Sequence, residues 1–181
     1  VKIHKVSLHS RDQWLESPFS SSFYHSWLIE RGSLTARLQK RYRDFLLQSL
    51  VIRYAKPSRE EVNILRMRAG DVALNREVVL YGNGQPVVFA HSVLPRNSLR
   101  SAWRGLGKLG NRPLGATLFA NHKVKRTPLS YKKLSANHAL YRHAAKHLKH
   151  KPTYLWARRS VFSLNCANIM VTEVFLPNLA P

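Results

Sequence analysis

The chain has 181 residues, 44% of them hydrophobic, and 30 Lys and Arg against 9 Asp and Glu, for a formal net charge of +21. This length suits one domain able to enclose a small ligand, and the apolar content excludes wholesale disorder. No apolar run reaches the ~20 residues of a membrane helix, no charged-then-apolar stretch resembles a secretion signal, and the single cysteine, Cys166, cannot form an intrachain disulfide, so a cytoplasmic location is expected.

Residues 1–19 read as an irregular arm containing Trp14, within a single domain spanning 1–181. Phe23 to Ile29 reads as a short helix. Ser33 is a plausible N-cap for a second helix beginning Leu34-Thr35-Ala36. That pattern continues to Phe45 and Leu46, while Gln48 to Tyr54 already has strand character. Asn63 to Arg68 reads as a strand. Arg76 to Tyr81 and Pro86 to Leu94 are strands joined by Gly82-Asn83-Gly84-Gln85, the clearest hairpin signal in the chain. Ser98 to Leu109 reads as a basic helix, and Pro113 to Phe119 as another with proline in its first turn.

Residues 122–135 are basic and loop-like, and Asn137 to Leu148 reads as a His- and Lys-rich helix. Two strands near Tyr154 to Leu164 and Ile169 to Leu176 form a second hairpin across Asn165 to Asn168. Strands joined by hairpins, with helices gathered in groups, predict an α+β fold with an antiparallel sheet. Cys166, within the apolar stretch Val161 to Val174, is expected in the core and not as a nucleophile.

Charge is distributed unevenly. After Glu77 a single carboxylate, Glu173, faces 16 Lys and Arg. Such a surface attracts anions of any size, so weak association with anionic membrane or nucleic acid is expected whatever the specific function. Glu173 itself shares a strand face with Ile169, Val171 and Phe175. A carboxylate on an apolar face is paired, protonated or functional. Arg76 opens the first hairpin, where its fork could grip a carboxylate or merely pair with Glu77. The helix starts at Leu34 and Leu114 offer free backbone N–H groups that favour an anion.

His143, His147 and His150 fall on one helical face, but without a carboxylate or Cys nearby they read as part of a basic solvated helix, and no metal site is expected. Gly105 to Gly110 lacks the preceding strand of a dinucleotide fingerprint. The aromatic residues are too scattered for an RNA-stacking platform.

Several blocks resemble those of chorismate pyruvate-lyases. They are Trp27 to Thr35, Arg76 to Leu80, the turn from Gly82 to Pro86, Leu109 to Gly115 followed by Leu118-Phe119, Leu155 to Ser160, and Thr172 to Pro177. They occur in family order across residues 27 to 177. The resemblance implies a six-stranded antiparallel sheet with helices covering a buried pocket. It implies conversion of chorismate to 4-hydroxybenzoate and pyruvate, without a cofactor, as the first committed step of ubiquinone synthesis.

By the same resemblance Arg76 grips the ring carboxylate, the Leu34 and Leu114 amides assist, and Glu173 meets the ring hydroxyl. Slow product release, hence product inhibition, follows from a closed pocket. A monomer is expected, with no specific nucleic acid partner. His91 stands where an arginine is expected, which touches only a secondary anion contact on the path in or out. The same fold serves as the effector domain of bacterial transcription regulators, but residues 1–19 are too short for their DNA-binding domain.

Overall fold

The computed structural model describes residues 13–18 and 23–179. Its seven strands form one antiparallel sheet: β1 (Phe45–Ala55), β2 (Ala73–Gly82), β3 (Gln85–Pro95), β4 (Lys125–Arg126), β5 (Ser130–Ser135), β6 (Tyr154–Leu164) and β7 (Ala167–Phe175). The order across the sheet is β1-β2-β3-β7-β6-β4, and β5 also pairs with β6. β4 and β5 follow one another along the same edge of β6, so the seven segments make a sheet six strands wide. The fold is α+β, as the grouped strands and helices predict.

Two tight turns set the register. Asn83 and Gly84 both have positive φ, 50° and 74°, the backbone of a primed hairpin turn. Asn165 and Cys166 do the same at 48° and 62°. Cys166 is therefore an exposed turn residue and not core; the apolar stretch around it is interrupted by the chain reversal.

Helices cover both faces of the sheet. On one face lie α1 (His25–Leu28), α2 (Leu34–Arg41), α4 (Arg96–Arg100) with the 3-10 segment Arg104–Lys108, and α5 (Leu114–Ala120). Trp27, Leu28 and Leu38 pack on Val78, Val88 and Phe175, while Trp103, Leu106 and Leu118 pack on Leu74, Leu94 and Ile169. The opposite face carries α3 (Arg59–Leu65) and α6 (Ala139–Ala145). There Leu140, Tyr141 and Ala144 meet Phe89, Leu134 and Val174. Among the described residues no helix is long and apolar enough to cross a membrane.

Several elements differ from the sequence reading. Phe45 and Leu46 belong to β1, because α2 ends at Arg41. The segment expected as a strand over 63–68 holds the last residues of α3, Asn63 to Leu65, and the turn after it, where Arg66 has a positive φ of 53°. Ser58 Oγ accepts from the Glu61 N–H while the Glu61 carboxylate accepts from the Ser58 N–H, a capping box that starts the helix. Residues 122–135 contain β4 and β5, whose Tyr131, Lys132 and Leu134 are buried. The helix expected over 137–148 is confined to Ala139–Ala145. Of the N-terminal arm, Leu15 bridges to Tyr131, and residues 1–12 and 19 lie outside the described residues.

Gly82 shows how tightly the hairpin is packed. A Cβ there would come 2.5–2.6 Å from the Tyr42 ring, which follows α2. Gly82→Ala is expected to lose about 1–3 kcal/mol, the cost of overpacking a filled site. A denaturant midpoint equal to that of the parent would contradict this.

Candidate active site

The site is built on the sheet by register. Arg76 stands opposite Ser92, Ser92 opposite Val171, and Val171 opposite Ser160. The next row runs Val78, Ala90, Glu173, Arg158. Opposed residues share a face, as do alternate residues along a strand, so all eight side chains project the same way. Ala90 and Ser92 are the short ones, and they leave a depression between longer neighbours. Arg76 borders it from β2 and Glu173 from β7, two strands apart, about 10 Å between strand axes. Leu47, Leu80 and Phe162 complete the lining from the sheet, and Leu34, Thr35, Leu114, Gly115 and Phe119 complete it from the helices.

The two helix starts meet above this hollow. Ser33 caps α2 by accepting from the Ala36 N–H at 3.2 Å. A Cβ on Gly115 would come 3.1 Å from Ser33 Oγ, so glycine permits the close approach of α5 to α2. Leu34 and Leu114 are the first residues of their helices, both buried and both lining the hollow. Their backbone N–H groups belong to first turns, which lack intrahelical acceptors.

Arg76 is 3% exposed. Its Nη2 donates to the carbonyls of Gly110, at 3.0 Å, and Arg112, at 2.9 Å, which fastens the approach to α5. Its Nε is buried without a hydrogen-bond partner among the described residues. Burial lowers its pKa from the usual arginine value, yet a guanidinium stays charged throughout neutral pH. The pairing with Glu77 that the sequence left open does not occur, because adjacent strand residues face opposite ways. Glu77 instead binds His91 and His143 on the far face.

Glu173 both lines the hollow and forms an ion pair. Its Oε2 accepts from Arg158 Nε at 2.6 Å, while Oε1 has no protein partner among the described residues. Arg158 is fully buried, and its Nη1 donates to the carbonyls of Trp27, Leu28 and Glu30 at the end of α1. Such an arginine fixes the carboxylate in place and leaves its second oxygen to accept from a ligand. The sequence reading missed the roles of Arg158 and of Arg126, which also lines the hollow.

His91 lies on the opposite face, away from this hollow, so it makes no contact with a ligand held there. Its ring nitrogens contact Glu61 at 3.1 Å and Glu77 at 3.2 Å, and Glu77 also meets His143 at 2.9 Å. Burial disfavours a charged His91 ring, but the hydrogen bonds and charges of Glu61 and Glu77 outweigh it and push its pKa up to about 9. Burial likewise opposes ionised Glu77, yet His91 and His143 hold it down at about 2.

The raised His91 value adds stability that is complete below its ordinary 6.5 and lost as pH climbs toward about 9. The lowered Glu77 value adds stability that is complete above its ordinary 4.5 and lost as pH falls toward about 2. Melting temperature is therefore expected to fall between roughly pH 6.5 and 9, by the equivalent of about 3 kcal/mol. His91→Gln should flatten that alkaline limb, and an unchanged limb would contradict the assignment.

His147 stacks on Phe89, with ring centroids 6.4 Å apart, so part of the expected solvated His face packs against the sheet. Among the described residues no group of three His, Cys, Asp or Glu is arranged to hold a metal ion.

Comparison with known proteins gives the same direction as the geometry. The profile of the family described as "Chorismate lyase" matches residues 8–180. A protein of Methylobacillus flagellatus named "Probable chorismate pyruvate-lyase" is 45% identical over 169 residues, covering 93% of this chain and 95% of the relative. One of the same name from Nitrosomonas europaea is 46% identical over 165 residues, covering 91% and 93%.

Among solved structures, the effector domain of PhnF from Mycobacterium smegmatis superposes with a TM-score of 0.57 at 15% identity, covering 83% of this chain and 91% of that one. A GntR-family transcriptional regulator from Bacillus cereus gives 0.56 at 10% identity, covering 74% and 92%. At such low identity these likenesses concern the fold alone. With the profile spanning nearly the whole chain and relatives well above 30% identity over nine-tenths of it, the chain belongs to the chorismate lyase family.

Proposed function

We propose that the chain is a chorismate pyruvate-lyase that eliminates pyruvate from chorismate to leave 4-hydroxybenzoate, the aromatic acid that ubiquinone synthesis consumes. The observation that carries this reading is the placement of Arg76 and Glu173 at opposite sides of a floor made by Ala90 and Ser92. A flat ring would lie over that floor. Its carboxylate would meet Arg76 and the Leu34 and Leu114 amides, and its C4 hydroxyl would donate to Glu173 Oε1.

The chemistry asks little beyond orientation. The C4–H bond and the C3–O ether bond break, the C4 hydrogen leaves as a proton, the ring becomes aromatic, and the enolpyruvyl methylene gains a proton to become the methyl group of pyruvate. No electrons enter or leave, so no redox partner is required, and aromatisation drives the reaction. Holding the enolpyruvyl arm where the C4 hydrogen can depart removes several kcal/mol of entropic barrier. A carboxylate fixed by Arg158 suits this positioning role, since its direction is set before the ligand arrives. The hydrogen leaves either to the enolpyruvyl methylene in a cyclic step or to a base. Water displaced by a ring seated under the helix starts would strengthen each polar contact inside.

The test is incubation of the purified chain with chorismate, without added cofactor, following both products. Equal amounts of pyruvate and 4-hydroxybenzoate are expected. Binding of chorismate without turnover would point instead to a ligand-sensing role, and neither binding nor turnover would end the reading.

A further inference from the structure

Chorismate carries two carboxylates, one on the ring and one on the enolpyruvyl arm, and 4-hydroxybenzoate keeps only the first. The hollow is lined by two arginines, Arg76 and Arg126. Resting on the function proposed above, we infer that Arg126 binds the carboxylate of the enolpyruvyl arm and so separates substrate from product.

Arg126 is built as a receptor. Its Nε donates to Ser160 Oγ at 2.8 Å and its Nη1 to the Arg31 carbonyl at 2.7 Å, both neutral acceptors. Its guanidinium carbon lies 5.0 Å from the ring centroid of Phe162 and 5.5 Å from that of Phe119, and both rings line the hollow. No carboxylate among the described residues lies within ion-pair distance of it. A cation is thus held in one orientation by groups that do not neutralise it. Burial lowers its pKa, the opposing field of Glu173 notwithstanding. A half-buried guanidinium lacking a direct counter-ion gains from an arriving carboxylate.

Its position matches the substrate. Ser160, which holds it, lies on β6 opposite Val171, beside the pair Arg158 and Glu173. Crossing the sheet from β2 to β6, the hollow therefore offers Arg76, then Glu173, then Arg126. Chorismate carries the ring carboxylate at one end and, at the other, the C4 hydroxyl flanked by the arm on the neighbouring C3. With the ring carboxylate on Arg76, the hydroxyl and the arm carboxylate would fall to the neighbouring pair Glu173 and Arg126. After the C3–O bond breaks, pyruvate carries the arm carboxylate away, and Arg126 has no further hold on the aromatic product.

The experiment compares the parent chain with Arg126→Gln and Arg126→Lys, by steady-state turnover of chorismate and by calorimetric affinity for 4-hydroxybenzoate. In Arg126→Gln, kcat/KM is expected to fall about 100-fold. Its affinity for 4-hydroxybenzoate should stay within about threefold, which also shows that the hollow is intact. Arg126→Lys should recover part of the loss. Turnover within threefold of the parent, or an equal loss of chorismate turnover and product affinity, overturns the inference.

A second measurement uses the unaltered chain. The dicarboxylate 3-(carboxymethoxy)-4-hydroxybenzoate should bind at least about tenfold more tightly than 4-hydroxybenzoate. Equal or weaker binding overturns the inference. If the parent chain itself fails to convert chorismate, the functional reading fails first. If it converts chorismate, these results bear on Arg126 alone.

Discussion

Arg76→Ala is expected to abolish most turnover of chorismate, by about 100-fold or more, and to weaken 4-hydroxybenzoate binding by a similar factor. Both losses have one cause. The ring carboxylate is shared by substrate and product, so removing its charge-assisted partner costs both complexes alike. Arg76 also donates to the Gly110 and Arg112 carbonyls ahead of α5, so some loosening there accompanies the change. Arg76→Lys separates the effects, since it keeps the charge and loses the two-pronged geometry, and should fall between parent and alanine variant. Product affinity unchanged in Arg76→Ala would refute the carboxylate assignment. The contrast with Arg126→Gln, in which product affinity is retained, gives each arginine its own signature.

Arg158→Ala is expected to be the most destabilising change on this face of the sheet, by about 3–5 kcal/mol. It strands the Glu173 carboxylate and removes the donor to three carbonyls at the end of α1. For a chain of this size the melting temperature should drop by about 10 °C or more. Glu173→Gln should be milder in stability yet severe in turnover, because the amide keeps the shape and loses the charge that orients the ring. A double-mutant cycle between the two sites should show strong coupling, and additive effects would mean that the ion pair holds neither residue in place.

Much of this was legible in the sequence, for reasons that residues make plain. The Gly82-Asn83-Gly84-Gln85 segment marked the first hairpin, although a pairing of Arg76 with Glu77, which strand alternation rules out, stayed open. Alternation along β7 put Val171 and Glu173 on one face, where the structure places them. Ser33 marked the start of α2. The site residues expected from the family resemblance, Leu34, Arg76, Leu114 and Glu173, all line one hollow.

What stayed hidden depended on long-range pairing or on weaker local signals. A turn spanning Asn165 to Asn168 puts Ser160 opposite Glu173. The actual two-residue turn at Asn165-Cys166 puts Arg158 there, and Cys gives less warning of a positive φ than Gly. Arg126 sits in a two-residue strand whose partner is distant in sequence, so nothing local marks it among so many cations. The helix α3 was signalled by Ser58 and Glu61, a capping box overlooked beside the strand-like run that follows it. His91 resisted reading because its partners, Glu61 and Glu77, come from two different elements.

The most direct measurement is a crystal structure with 4-hydroxybenzoate bound. The ring should lie over Ala90 and Ser92, with its carboxylate on Arg76 and its phenol oxygen on Glu173. Product seated instead in the groove around Glu77 and His91, with the hollow between Arg76 and Glu173 vacant, would contradict the assignment.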